Sequence, residues 1–311
     1  MKPASGSGSI TGEPGYRPIT ALRRVPPRRW LAAALCGVLL GGSGALAADG
    51  DPTPSSSPDL VKQANAPISS ILQVRLQNSY VPKFTGVSGQ GNTFSVAVTM
   101  PLPEFRLLPV PQLSLLTLPA AVTVPSGLTG VGDLRFVDIA VMDAGHDILW
   151  GVGPTVVFPT ASQPTTGLGK WQVGPAAAIA FAPKRWLIGV LAQNPISVGG
   201  DSTRARVNTL VLQPFLIYQF DHGWFVRSQP QLLFDWKTGK QILPIDLGAG
   251  RVFSLAGQQL NCFVEGFWNL THDGPGPSYG FTVGVSFLYP GFWERWNKKP
   301  APAAESAAHN Q

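Results

Sequence analysis

From about residue 68 to residue 289 the chain is built of short runs in which apolar and polar positions alternate. Each run is closed by Gly, Pro, Asn or Asp, and a 3.6-residue helical period is nowhere sustained. The run nearest the C-terminus is the clearest. Tyr279, Phe281, Val283, Val285, Phe287 and Tyr289 alternate with Gly280, Thr282, Gly284, Ser286 and Leu288. The same division separates Phe94, Val96, Val98 and Met100 from Thr93, Ser95, Ala97 and Thr99. It also separates Leu72, Val74 and Leu76 from Gln73, Arg75 and Gln77, and Trp224, Val226, Leu232 and Phe234 from Arg227, Gln229, Gln231 and Asp235. One face is aromatic or branched and the other small or polar, the pattern of a wall with lipid on one side and a polar lumen on the other.

The alternation predicts strands over 68–80, 93–101, 111–119, 131–142, 147–159, 170–182, 185–196, 207–220, 223–236, 243–254, 259–270 and 279–289. Twelve strands is an even number, and the connections sort by parity. The longer ones are 81–92, 120–130, 160–169, 197–206, 237–242 and 271–278. Between them fall the turns Asp143 to His146, Pro183-Lys184, Asp221-His222 and Leu255 to Gln258, with Pro-rich 102–110 as an exception. Long loops at one end and short turns at the other, with both termini on the short side, is the asymmetry of outer-membrane barrels. The predicted fold class is therefore all-β, an antiparallel transmembrane β-barrel of about 12 strands preceded by a cleavable signal peptide. Trp150, Phe158, Trp171, Phe181, Trp186, Tyr218, Phe220, Trp224, Trp236, Phe267 and Trp268 sit near strand ends, where an interfacial girdle places them. Pro154, Pro175, Pro214, Pro230 and Pro244 fall inside predicted strands and predict bulges or kinks, because proline cannot donate to the ladder.

Composition agrees with a membrane wall. Only 13% of the 311 residues are charged while 44% are hydrophobic, against roughly a quarter charged in soluble domains. Past residue 47 no apolar run approaches the ~20 residues of a spanning helix. Residues 1–47 read as an N-terminal extension and signal peptide. Arg23, Arg24, Arg28 and Arg29 precede an apolar stretch from Trp30 to Leu40, and Ala45-Leu46-Ala47 is a small-x-small site that predicts cleavage after Ala47. The stretch, broken by Gly41, Gly42 and Gly44, is too short for a comfortable anchor, and Leu35 before Cys36 argues against a lipoprotein signal. Cleavage removes six basic residues and one acidic residue, leaving 17 positive against 16 negative, a net of +1. The pI near 9.5 thus belongs to the leader, and a nucleic-acid partner loses its support. Cys262 is left alone and reads as a small buried hydrophobe. The remaining division is a flexible Pro/Ser/Asp-rich segment over 48–67, the barrel over 68–289 and a C-terminal tail over 290–311.

A second observation is a chain of short motifs: Trp150-Gly-Val-Gly-Pro-Thr-Val-Val-Phe-Pro-Thr160, Gly169-Lys-Trp-Gln-Val-Gly-Pro-Ala-Ala177, Gln193-Asn194, Leu212-Gln-Pro-Phe215 and Gly223-Trp224. In this order, over about residues 70 to 290, it resembles the bacterial family of MetA-pathway phenol-degradation proteins, some of which carry the label neuromedin U. The resemblance implies an outer-membrane barrel serving as a channel or transporter for small, including aromatic, compounds. It brings no catalytic residues with it.

The candidate functional residues are those the alternation turns toward the lumen: Gln73, Arg75, Gln77, Asp133, Arg135, Gln213, Arg227, Gln229, Gln231, Asp235, Asp246 and Glu265. Charges of both signs on one inner surface either set up a transverse field that orients polar solutes or form a salt-bridged plug. Of the histidines, His146, His222 and His272 fall in turns or loops and His309 in the tail, so a barrel lipase is a weak alternative. Asp143, His146 and Asp147 are better read as a solvated turn than as a metal site. The sequence calls for no cofactor. Its partners are outer-membrane lipid, the outer-membrane assembly machinery and a solute it does not name.

Overall fold

The computed structural model describes residues 58–66, 71–104, 109–271 and 273–292. The predicted leader, its cleavage site and most of the C-terminal tail lie outside them. The elements are a helix α1 (Pro58–Asn65), followed by β1 (Leu72–Thr85), β2 (Gly91–Leu102), β3 (Gln112–Thr123), β4 (Thr129–Gly130), β5 (Leu134–Gly145), β6 (Ile148–Phe158), β7 (Lys170–Phe181) and β8 (Trp186–Gln193). Then come β9 (Ile196–Gly200), β10 (Thr209–Gln219), β11 (Trp224–Ser228), β12 (Leu232–Asp235), β13 (Gln241–Ile242), β14 (Pro244–Leu255), β15 (Gln258–Asn269) and β16 (Gly276–Tyr289).

All pairings are antiparallel between adjacent staves of the wall, and β1 closes the ring on β16 from Leu72↔Tyr289 to Thr85↔Gly276. The result is a barrel of twelve staves, because β8 with β9, β11 with β12 and β13 with β14 each make one stave, and β4 is a short spur on β3. Closure pairs the staves of the wall on both sides, which is the condition for strands to cross lipid.

The alternation works as the sequence predicts. Across β1 and β16, Arg75 opposes Ser286 and Gln77 opposes Gly284 on the inside, while Val74 opposes Phe287 and Leu76 opposes Val285 on the outside. Three staves are split: β13 and β14 part at Leu243, and the predicted strands over 185–196 and 223–236 do not anticipate the other two splits. One of these two falls at Asn194-Pro195 and the other at Gln229-Pro230-Gln231. In both, a proline without an N–H donor ends one ladder segment and lets the next start in a new direction. Pro154 and Pro175 are Cα partners. The β5–β6 pairing lapses beside them, passing from Val137↔Thr155 to Ala140↔Val152.

The connections fall at two ends as expected. The β5–β6 turn is made by His146 and Asp147, both at positive φ (55° and 62°), and the β14–β15 turn by Ala256 and Gly257 (50° and 80°). Paired positive φ values match the strand twist in two-residue hairpins. The predicted turn residues Asp143, His146 and Asp147 thus serve the hairpin, with the Asp143 carboxylate accepting the Gly145 amide at 2.7 Å.

The segment read as flexible contains α1. Leu60, Val61 and Ala64 give it one apolar stripe, and Val61 and Ala64 are 1% and 0% exposed. They join a cluster of inward side chains that includes Leu113, Ile139, Ala178, Leu187, Phe215, Ile217, Phe225, Val252, Phe263 and Leu288. The helix gains its order from this packing; eight residues are too few to hold helix alone.

Candidate functional site: the barrel lumen

The inside of the barrel is layered. Toward the long loops lies a cavity of about 500 Å³ lined by Asp133, Arg135, Thr155, Gln172, Gln193, Gln213 and Gln231 and by Leu115, Val137, Leu168, Val211 and Leu233. Amides, hydroxyls and aliphatic side chains are interspersed around one space. Such a lining can accept an amphipathic small molecule without demanding one charge pattern. The connection between β6 and β7 folds onto this cavity. Asp133, 6% exposed, accepts the Leu168 amide at 2.6 Å and the Ala161 amide at 3.1 Å. Thr166 hydroxyl donates to the Val131 carbonyl at 2.7 Å.

Below the cavity is a charged layer on β1, β11, β14 and β15. Arg227 donates from Nε to Glu265 at 2.9 Å, and their side chains are only 4% and 14% exposed. The Arg227 guanidinium lies over the Phe263 ring at 3.6 Å, and Arg75 approaches the same ring at 5.8 Å. Arg75 donates to Ser286 at 3.3 Å. Asp246 accepts from Ser228 hydroxyl at 2.8 Å and from the Gln229 amide at 2.7 Å. Two guanidiniums and two carboxylates therefore share one inner band.

Toward the short turns the lumen is occupied by α1, whose C-terminal carbonyls are tied to the wall. Gln229 Nε2 donates to the Asn65 carbonyl at 3.0 Å, and Asn261 Nδ2 donates to the Ala64 carbonyl at 3.2 Å and to Asn65 Oδ1 at 3.3 Å. Lys62 donates to the Ala182 carbonyl at 2.9 Å. These wall donors supply partners for carbonyls that a helix end leaves unpaired.

No family model and no curated protein matches the sequence. Solved structures do. The outer membrane channel COG4313 from Pseudomonas putida F1 aligns over 78% of this chain and 100% of its own, at 15% identity and a TM-score of 0.50. A NanC porin aligns over 70% and 98% (12% identity, TM-score 0.44). A KdgM porin in complex with disordered oligogalacturonate aligns over 70% and 99% (9% identity, TM-score 0.42). The fold is that of an outer-membrane barrel. The first of these likenesses, together with the closed ring, places the protein in the bacterial outer membrane.

The outer wall of the barrel suits that location. Leu216, Leu247, Ile179, Ile188, Val152 and Phe281 are exposed on it. Aromatic contacts mark both rims: Phe158 with Trp171 at 5.2 Å beside the long loops, and Trp186 with Tyr218 at 4.7 Å and Tyr218 with Phe220 at 4.9 Å beside the short turns. Apolar rings with a polar tip belong at such boundaries. One outward carboxylate, Asp138, is paired there with the Ser114 hydroxyl at 2.6 Å.

Of the candidate lumen residues, the structure draws Arg75, Arg227, Asp246 and Glu265 into one layer and Asp133, Arg135, Gln213 and Gln231 around the cavity. Gln73 is buried at 3% exposure, level with Leu288, Gln77 shares the inner face with Ser95, and Gln229 holds the helix. Asp235 departs from the expectation. Its carboxylate turns back to accept the amides of Lys237 at 2.8 Å and Thr238 at 3.3 Å, and so shapes the rim turn. Sequence reasoning left out Thr155, Gln172 and Gln193, which their strand parity already marks as inward, and the apolar stripe of α1. His146 and His222 lie in turns, His222 at φ 59°, and His272 is outside the described residues.

Proposed function

We propose that this protein is an outer-membrane channel or transporter for small molecules, and that it is not an enzyme. The observation that carries the reading is the mixed polar and aliphatic cavity of about 500 Å³, set above a layer of paired charges inside a closed barrel. That arrangement supplies a docking volume and a selective constriction in series. The resemblance of the Trp150–Thr160 and Gly169–Ala177 motifs to the phenol-degradation family supports small aromatic compounds as the first solutes to test. The shared fold of the outer membrane channel from Pseudomonas putida F1 supports passage of solutes in the same coarse sense.

The test is electrical. Full-length protein, shown to be folded by its heat-dependent gel mobility and recovered in the outer-membrane fraction, is inserted in planar bilayers. Conductance that falls on addition of phenol or benzoate supports the reading. Silence from folded protein, together with silence after residues 48–66 are removed, overturns it. A second reading, a closed structural barrel, is favoured by the seating of Val61 and Ala64 in the lumen. Silence of the full chain with conductance after truncation would mean a barrel plugged by its own N-terminal helix.

A further inference from the structure

At the long-loop rim a second concavity of about 480 Å³ is framed by β9 and the loop that follows it. Lys170, Arg204 and Arg206 are three of its eight lining residues, and none of the eight is acidic; Ser197, Ser202, Gly199 and Gly200 contribute hydroxyls and bare backbone. Lys170 is 6% exposed, and its ammonium donates to the Asp201 carbonyl. Arg204 is fixed by the Pro164 carbonyl at 2.7 Å and the Gly167 carbonyl at 3.2 Å, with the Asp201 carboxylate 3.8 Å away. That carboxylate is itself engaged by Thr203 through amide (2.9 Å) and hydroxyl (2.7 Å). Arg206 is exposed and has no hydrogen-bond or ion-pair partner among the described residues. Three cations thus converge on a concave surface with one nearby carboxylate to offset them.

We propose that this rim pocket binds a phosphoryl group, supplied either by a lipid headgroup of the outer leaflet or by a free phosphorylated solute. The held guanidinium of Arg204 and the buried ammonium of Lys170 provide preorganised positive charge. Arg206, uncommitted in the fold, closes on the ligand with the planar fork that suits phosphate oxygens. The loop ties hold Lys170 and Arg204 in place, while Arg206 lines the same concavity free to turn to a ligand. The site stands whether or not the barrel conducts.

The test uses the full-length protein folded in zwitterionic detergent. Inorganic phosphate and short-chain phosphatidic acid are titrated separately at low ionic strength and followed by phosphorus NMR, with phosphatidylcholine of equal chain length as control. Wild type is compared with Arg206→Ala and Arg206→Lys. Binding weakened about three- to tenfold by Arg206→Ala, partly restored by Arg206→Lys and lost at about 0.5 M salt is the expected result. Binding of both probes identifies a site for free phosphoryl groups; binding of phosphatidic acid alone identifies the lipid headgroup as the source. No binding of either, or binding that Arg206→Ala leaves unchanged, overturns the proposal.

Discussion

The Arg227 guanidinium lies 3.6 Å from the centre of the Phe263 ring, although β14 separates the strands that carry them. The reach is possible because β14 presents Gly248 and Gly250 to the lumen at that level. A side chain at Gly250 would meet the Phe225 ring and the Phe263 Cβ, and one at Gly248 would stand 3.0 Å from the Glu265 Cβ. Bare backbone lets Arg227 cross to Glu265.

This geometry makes Arg227 the key residue of the charged layer. Arg227→Met leaves Glu265, 14% exposed, with its ion-pair partner gone. Breaking a buried pair costs about 3 to 5 kcal/mol, and water in the lumen lowers that toward about 2 kcal/mol. Urea unfolding in lipid vesicles, read by loss of the heat-modifiable band, should show this drop for Arg227→Met and a smaller one for Arg227→Met combined with Glu265→Gln. Equal losses in the two variants would show that the pair is not coupled.

Asp133 restrains the connection between β6 and β7 through the Leu168 and Ala161 amides. Asp133→Ala leaves two amides without their acceptor, at a cost of about 1 to 3 kcal/mol local to that loop. Cleavage by an added protease between residues 159 and 169 should become faster while the gel shift of the barrel is unchanged. Unchanged cleavage would mean that Thr166 and Ser162, whose hydroxyl accepts the Val131 amide at 2.9 Å, hold the loop without Asp133.

Much of this was legible in the residues. Strand count, loop parity and the inward set follow from a two-residue period that a barrel wall enforces on every stave, so Gln73, Arg75 and Ser286 could be oriented by spacing alone. The split staves were harder to read, because Pro195 and Pro230 look like Pro154 and Pro214, which the ladder tolerates; what differs is whether a neighbouring stave is positioned to continue the pairing. The helix was hidden for another reason. Val61 and Ala64 carry too little apolar surface to predict a helix, and only the wall donors Gln229 and Asn261 make their burial favourable. Asp235 was misread because alternation fixes the face of a residue but not whether its carboxylate bends to a nearby amide.

At the rim, Asp201 titrates below the ordinary carboxylate range, first because the Thr203 hydroxyl and amide bond to it, with Arg204 and Lys170 adding attraction. A depressed carboxylate contributes order above its unfolded value, near 3.9, and that order is lost as pH falls through the lower folded value. Carbon NMR of labelled Asp should therefore find Asp201 still ionised where free Asp is half protonated. Thr203→Ala should move its midpoint up toward the ordinary value. A midpoint unaffected by Thr203→Ala would leave the backbone amide of residue 203 and the charges of Arg204 and Lys170 as the cause.

The seating of α1 gives the prediction with most bearing on transport. Its last carbonyls are held by Gln229 and Asn261, while Val61 and Ala64 pack against the inner wall. Gln229→Leu with Asn261→Leu removes the polar tether and keeps the apolar contacts, so the helix should leave the lumen part of the time. Each lost bond is worth about 1 kcal/mol, and the three that Gln229 and Asn261 donate to Ala64 and Asn65 shift the seated-to-released ratio by about 150-fold. Single-channel records should then show frequent transitions to a larger conductance, and the same larger level should appear permanently once residues 48–66 are deleted. With Gln229→Leu kept and Asn261→Cys in place of Asn261→Leu, a disulfide to Ala64→Cys should abolish the transitions when oxidised and restore them when reduced. If the double Leu variant and the deletion both match wild type, α1 does not obstruct the path, and the constriction must be assigned to the Arg75, Arg227, Asp246 and Glu265 layer above it.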